Sequence, residues 1–311
     1  MTKQRLFLLD AYALIYRAYY AFIRNPRVNS KGLNTSAIFG FVNTLEEVLN
    51  KEKPTHIAVA FDPPGPTFRH TEYEAYKAQR EATPEDIKIA VSIIKQIIEA
   101  YNIPILEIAG FEADDVIGTV AKQISKDEFD VFMMTPDKDY GQLTESHIYM
   151  YKPKYGNNDF DVWNDKDIMK KYNLTHPKQM IDLLGLMGDK SDNIPGCPGV
   201  GEVTAGKLLD QFSSIENLIK NTDQLKGAVK RNVEANIEQI LFSKFLATIK
   251  TDVPITFTPN DFKVGEKNAE ALKAIFEELE FRTLLKRVLN IDDTVVQPTN
   301  MPIQGDLFAS L

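Results

Sequence analysis

Disulfide chemistry is absent from this chain: its 311 residues include one cysteine, Cys197, so no intrachain bridge can form. That favours a reducing, cytoplasmic setting. No run approaches the roughly 18 consecutive apolar residues of a membrane span. The N-terminal MTKQRLFLLDAYALIY offers only four apolar residues before Asp10, too short a core for a secretory signal. Excess positive charge is missing as well. Lys and Arg number 36 against 44 Asp and Glu, a formal net charge of −8, which by itself speaks against a nucleic-acid partner. An average misleads where acids are concentrated. With the nine carboxylates argued below to share one site set aside, that −8 becomes +1 for the rest of the chain. What is present is an ordinary globular composition, and enough length for one large domain or two modest ones without staples.

The first 150 residues alternate short apolar runs with amphipathic segments. RLFLLD (5–10), HIAVAFD (56–62), IPILEI (103–108) and DVFMMT (130–135) read as buried strands, because they are short, rich in Ile, Val, Leu and Phe, and lack polar alternation. Helical spacing covers 36–52, behind Thr35 or Ser36 as a cap, then 84–101 with Pro84 in its first turn, and 112–125. Alternation of this kind predicts an α/β fold with a mostly parallel central sheet flanked by helices. From about residue 164 the pattern is helical, with candidates at 164–172, 176–187, 203–211, 214–220, 231–249 and 268–289. Residues 291–311 carry few periodic apolar positions and read as a tail or linker.

The acids fall at particular places. Asp10 and Asp62 end the first two strands, and Asp137 and Asp139 follow the fourth in TPDKDYGQL. Glu112, Asp114 and Asp115 follow the third in GFEADDVIG, and Asp189 and Asp192 lie in GDKSDNIPG. In open α/β sheets, sites form outside the carboxyl ends of strands, so these acids should converge on one edge. Singly, each reads equally well as a turn former or helix cap. Jointly they repel one another, and a proton or a cation must relieve that repulsion. These segments bring neither histidine nor cysteine clusters, so the donors are hard oxygens suited to Mg²⁺ or Mn²⁺ rather than zinc. Many carboxylates around small divalent ions suggest two-metal phosphoryl-transfer chemistry.

The segments FLLDAYALIYRAYYA, VAFDPPGPTFRHTEYEAYKAQR, GFEADDVIGTVA, TPDKDYGQL and GLMGDKSDNIPGCPGVGEVTAGKLL resemble, in order, the motifs of the 5′ nuclease (flap endonuclease) family. The likeness is greatest to the 5′→3′ exonuclease domain type found in bacterial DNA polymerase I, and it spans residues 5–290. It implies a PIN-like core over 1–163 with a helical arch at about 66–100, and a helix–three-turn–helix DNA-binding region over 164–290. It further implies two Mg²⁺ ions, with Mn²⁺ able to substitute. Asp10, Asp62, Glu112 and Asp114 match positions grouped around the first metal. Asp115, Asp137, Asp139, Asp189 and Asp192 match those around or behind the second. Lys77 and Arg80 match basic arch residues that approach the scissile phosphate. The implied partners are DNA with a 5′ flap, nick or 5′ end and RNA–DNA primer junctions, handled by a monomer in the bacterial cytoplasm at the nucleoid, with a polymerase domain further along a full chain.

Other residues carry weaker signals. Arg17 follows the first strand and Arg69 opens the arch segment; both are candidate DNA contacts. Tyr76 could stack on a base or simply pack. Gly199, Val200 and Gly201 lead to Thr204, a candidate cap, and Lys207, so that a glycine turn opens a helix whose N–H groups suit a phosphate. An ordinary helix–turn–helix reads the same way. The resemblance adds a K⁺ held by main-chain carbonyls at this element. Gln304-Gly305-Asp306-Leu307-Phe308 is similar to a sliding-clamp docking peptide, although Gly305 stands where an apolar residue is usual. Two other functions compete: a PIN-type ribonuclease, which would share only the carboxylate half, and a non-catalytic DNA-junction binding module.

Overall fold

The computed structural model describes residues 3–154 and 160–291; the docking-peptide reading at 304–308 lies outside them. Five strands run parallel: β1 (Gln4–Asp10), β2 (His56–Ala60), β3 (Ile105–Leu106), β4 (Phe129–Met134) and β5 (Ile148–Pro153). The spatial order is β3-β2-β1-β4-β5, and β6 (Phe160–Trp163) closes the β5 edge antiparallel. The first four match the apolar runs. β5 and β6 lack that signal, since IYMYKP mixes polar and aromatic residues and β6 has only four residues. β1 lies at the point where the strand order reverses, so its carboxyl end opens into a crevice.

Both faces of the sheet are covered, which explains the unbroken apolar runs. Along β1, Leu6 and Leu8 enter one core with Val116, Ile117 and Val120 of α5 (Ala113–Gln123). Phe7 and Leu9 enter the other, with α1 (Ala11–Ala21), α2 (Ser36–Glu47) and α4 (Glu85–Ala100). Each such side chain, fully buried, contributes roughly 1.5–3 kcal/mol. α2 runs on into a π-helical turn, Val48–Glu52, within the span expected to be one helix.

The expected helical arch is helical only at its ends. α3 (Phe68–Glu72) is short, residues 73–80 are turns and bends, and extended chain leads to α4. Lys77 adopts a left-handed backbone, φ 57°, which no continuous helix allows. Beyond the sheet come α6 (Asp165–Tyr172), α7 (Gln179–Met187), α8 (Glu202–Phe212) and α9 (Ile215–Lys220). The segment expected as one helix over 231–249 is two, α10 (Gly227–Ala235) and α11 (Ile237–Ala247), parted at Asn236, whose side chain turns back to the carbonyl of Asn232. The expected helix at 268–289 is also two, α12 (Ala269–Glu278) and α13 (Arg282–Leu289). Glu280, at φ 61°, makes the turn that lets Phe276, Phe281 and Leu284 all enter one core. That core is the one beneath α2 and α4, so the chain's last helices return to the sheet.

The loop carrying Asp189 and Asp192 is closed by two glycines. Gly188 (φ 72°) and Gly196 (φ 62°) touch back to back; a Cβ on Gly196 would fall 2.3 Å from the Gly188 nitrogen, and one on Gly188 would fall 2.5 Å from the Ile194 carbonyl. Asp189 and Ile194 exchange backbone hydrogen bonds of 2.9 and 2.8 Å across the base. Side chains at either glycine meet both a forbidden dihedral and backbone overlap. Gly196→Ala should therefore lower the free energy of unfolding by about 2–4 kcal/mol, read as a drop in urea midpoint; an unchanged midpoint would contradict this packing.

Candidate active site

The acids that end the strands are both helix caps and neighbours of one another. Asp10 caps α1 through Ala13 N–H at 3.2 Å, and its other oxygen accepts from Thr135 Oγ1 at 3.1 Å and Tyr140 OH at 3.3 Å. Asp62 accepts from Ala113 N–H at 2.7 Å, which ties the end of β2 to the start of α5. Glu112 caps α5 in a reciprocal box with Asp115. Asp137 caps the 3₁₀ segment Lys138–Leu143 through Asp139 N–H at 3.0 Å. Asp189, almost buried, accepts from Ser191 N–H at 2.7 Å and from Lys138 Nζ.

Mutual repulsion links the cluster. Burial, Asp62 and then Asp137 push the Asp10 carboxyl up to about 7, against the pull of Ala13 N–H and Thr135. Burial, the main cause, also raises Asp62, Asp114, Asp137 and Asp139; Asp115 adds to it at Asp114, and Asp137 adds to it at Asp139. Two acids escape. At Glu112 burial is outweighed by Lys77 and Arg69, and at Asp189 it is outweighed by Lys138 and Ser191, so both carboxyls lie below the ordinary range.

Residues 73–80 fold onto these acids. Lys77 Nζ donates to Glu112 Oε1 at 2.6 Å and lies 3.8 Å from Asp192 Oδ2. Arg80 Nη2 meets Asp192 Oδ1 at 2.6 Å while the residue stays exposed. Tyr76 is buried and donates to Glu112 at 2.9 Å or to Asp192 at 3.1 Å, so packing and not base stacking is its place here. Arg69 is 1% exposed and points inward to Glu112 and Asp115, which removes it as a surface DNA contact. Arg17 lines a cleft between α1 and α2 beside Glu47 and Asn43, away from the cluster. Lys138, Tyr140, Thr135 and Ser191 are contributors that the motif reading passed over; the first three stand inside TPDKDYGQL and Ser191 inside GDKSDNIPG, where only the acids drew notice.

Among the described residues, no three acids converge on a single metal-sized point; basic side chains bridge them instead. The donor set nevertheless fits divalent cations. It is all carboxylate oxygen, and Asp139 Oδ1 is buried with no hydrogen-bond partner. Asp115 fits least, because its oxygens receive Arg69 twice at 2.8 Å, Lys250 N–H at 2.8 Å and Glu112 N–H at 3.1 Å. At the glycine turn after Pro198, α8 is capped by Gly201 with no side-chain bond, and Thr204, the expected cap, lies inside the helix. Gly199, at φ 75°, turns the chain into it, Val200 is buried beneath, and Lys207 is exposed.

The raised Asp10 carboxyl gives a pH signature. An unfolded chain releases that proton near 3.8, whereas the folded protein holds it to about 7. The folded state thus binds more protons between these values, and metal-free stability falls as pH rises through the window. His56 and His147, held neutral mainly by burial, act oppositely as pH falls below their ordinary 6.5, so the informative comparison is with Asp10→Asn. In EDTA at about pH 7.5 this variant should melt some 2–4 °C above the parent, with the gain shrinking towards zero by about pH 4.5. An equal gain at both pH values in calorimetry would clear the Asp10 charge as its cause.

Residues 5–173 match the 5′-3′ exonuclease N-terminal resolvase-like domain, and residues 175–270 match the 5′-3′ exonuclease C-terminal SAM fold. DNA polymerase I of Bacillus subtilis (strain 168) is 42% identical over 288 residues, 92% of this chain and 32% of that protein. The chain thus spans about a third of the length of the curated relatives it matches. In fold, it is similar to the T5 D15 protein co-crystallized with metal ions (TM-score 0.67, 18% identity, 92% of this chain and 99% of that one). It is also similar to the catalytic core of Rad2 in complex with DNA substrate (TM-score 0.61, 16% identity, 92% of each chain). Both halves of one family architecture are matched in order, the acids that follow the strands in its first half and Asp189 and Asp192 in its second: this chain belongs to the 5′-3′ exonuclease family.

Proposed function

We propose that this chain is a structure-selective 5′ nuclease that hydrolyses DNA phosphodiesters at 5′ flaps, nicks and 5′ ends, including RNA–DNA primer junctions, in primer removal and repair. It works as a monomer in the bacterial cytoplasm, with a polymerase domain following in a longer chain. The observation that carries this reading is the gathering of carboxylates at the carboxyl edge of the parallel sheet, with Lys77 and Arg80 folded over them. Two Mg²⁺ ions, or Mn²⁺ in their place, held by Asp10, Asp62, Glu112 and Asp114 and by Asp137, Asp139, Asp189 and Asp192, would supply an activated water and neutralise phosphate charge.

The protein's own part is binding and charge placement. Lys77 and Arg80 offer cations beside the acids, where an incoming phosphodiester exchanges its oxygens for Glu112 and Asp192 as their partners. Arg80 can grip two phosphate oxygens at once, which Lys cannot do. The uncapped N–H groups at the start of α8 take a phosphate of the duplex backbone, a contact that positions without reading sequence. The carbonyls of Gly196, Cys197 and Pro198 each accept one hydrogen bond, from Gln239, Val200 N–H and Asn232, and keep a second lone pair with which they would hold a K⁺ at this turn.

The decisive experiment is cleavage of a 5′-labelled flap duplex in Mg²⁺ and in EDTA. Release of the flap should need the metal and vanish in Asp189→Asn. Tight flap binding without turnover would favour the junction-binding module, and equal cutting of unstructured RNA would favour the ribonuclease. Lys77→Ala should lower kcat by roughly 10²–10³-fold with a small change in KM, measured by single-turnover and steady-state assays; an unaltered kcat would remove Lys77 from the chemistry.

A further inference from the structure

Arg69 spends all of its hydrogen-bonding capacity inside the protein. A guanidinium has five N–H donors, and each has a partner. Nε meets the Leu246 carbonyl at 2.9 Å. Nη1 meets Glu112 Oε2 at 3.1 Å and Asp115 Oδ2 at 2.8 Å. Nη2 meets Asp115 Oδ1 and the Thr248 carbonyl, both at 2.8 Å. These partners come from two distant places, the start of α5 and the chain leaving α11, while Arg69 itself sits on α3 at the foot of the arch. Asp115 completes the knot by accepting Lys250 N–H at 2.8 Å, so it serves as the counter-charge of the clamp.

The segment leaving α11 is fastened along its length. Gln142 accepts Ile249 N–H at 2.9 Å and donates to the Ala247 carbonyl at 3.0 Å. Thr119 accepts Val253 N–H at 3.1 Å. Of these fasteners, Arg69 is the one that also touches an acid of the cluster with an oxygen facing Lys77, namely Glu112. We propose that Arg69 is a positioning residue: it fixes Glu112 relative to the arch and to the helical half, so that the cation-holding edge and the duplex-gripping region keep one geometry. This rests on the nuclease reading above, in which Glu112 helps to hold the first cation.

The expectation follows from geometry and fork shape. A lysine at this position keeps the charge but offers three donors from one point, and cannot serve Glu112, Asp115, Leu246 and Thr248 together. Loss of an outer partner of a ligand typically weakens metal binding by about 10–100-fold.

The test compares Arg69→Lys with Gln142→Leu, which loosens the same segment without touching a carboxylate. Three quantities are read: melting temperature, Mn²⁺ affinity by calorimetric titration without DNA, and kcat and KM on the flap duplex. Arg69→Gln is the second variant if the buried ammonium prevents folding. Positioning predicts that Arg69→Lys weakens Mn²⁺ binding by roughly tenfold and lowers kcat by at least as much, with KM within about threefold. Gln142→Leu should lose melting temperature yet keep Mn²⁺ affinity. If Arg69→Lys binds Mn²⁺ like the parent, or if Gln142→Leu weakens it equally for the same loss of melting temperature, Arg69 is only a structural bolt and the proposal fails. A parent protein that cuts no flap would overturn the nuclease reading instead, and the Mn²⁺ titration would still decide the role of Arg69.

Discussion

Crowding of negative charge at a half-buried sheet edge is the constraint on which this structure turns. Carboxylates this close, in surroundings that solvate them poorly, raise one another's proton affinity, as the upward shifts of Asp10, Asp62, Asp114, Asp137 and Asp139 record. The fold tolerates the cost in part because several of these acids also have a local structural use. Asp10, Glu112 and Asp137 cap the segments that follow them, so the groups that repel across the cleft satisfy backbone donors within their own loops. What caps and internal cations leave uncompensated would, under the proposed function, be available to divalent ions.

The sheet and the segments that fold over its edge contribute differently to this constraint. The sheet half brings acids to a fixed edge, because parallel strands buried on both faces leave little freedom of register. The arch segment and the loop between Gly188 and Gly196 bring cations and further acids from outside. Lys77 and Arg80 reach Glu112 and Asp192 across that boundary, and Lys138 reaches Asp189. Arg69 ties the same boundary from within. Under the proposed function, a scaffold stitched by charge at this edge would exchange internal ion pairs for phosphate contacts without unpacking its core, since Leu6 to Leu9 and the α5 face take no part in those pairs.

Much of the site was legible in one dimension. Four apolar runs, two ending in acids and two followed by them, announce a parallel sheet and the edge where those acids gather, because strand direction alone determines which ends face the crevice. All nine acids stood out by position. Capping was visible as a competing reading of Asp10, Glu112 and Asp137, and the structure shows these side chains as caps that also lie among mutually repelling acids. The split of 231–249 at Asn236 and of 268–289 at Glu280 was hidden, because helical periodicity survives a one-residue turn when apolar positions on both sides still reach a core.

The inward course of Arg69 lay beyond the sequence, as did the burial of Tyr76. In FRHTEYEAYKAQR every basic and aromatic residue looks alike, since local pattern carries no information about which face of an irregular segment meets the protein. Their fates depend on partners 36 to 179 positions away. Local sequence determined the strands, the caps and the placement of acids, because those follow from neighbours within a few residues. Only tertiary structure decided which cation serves which carboxylate, and that Asp115 belongs to Arg69, because ion pairing in a buried cluster is settled by distances between segments far apart in sequence.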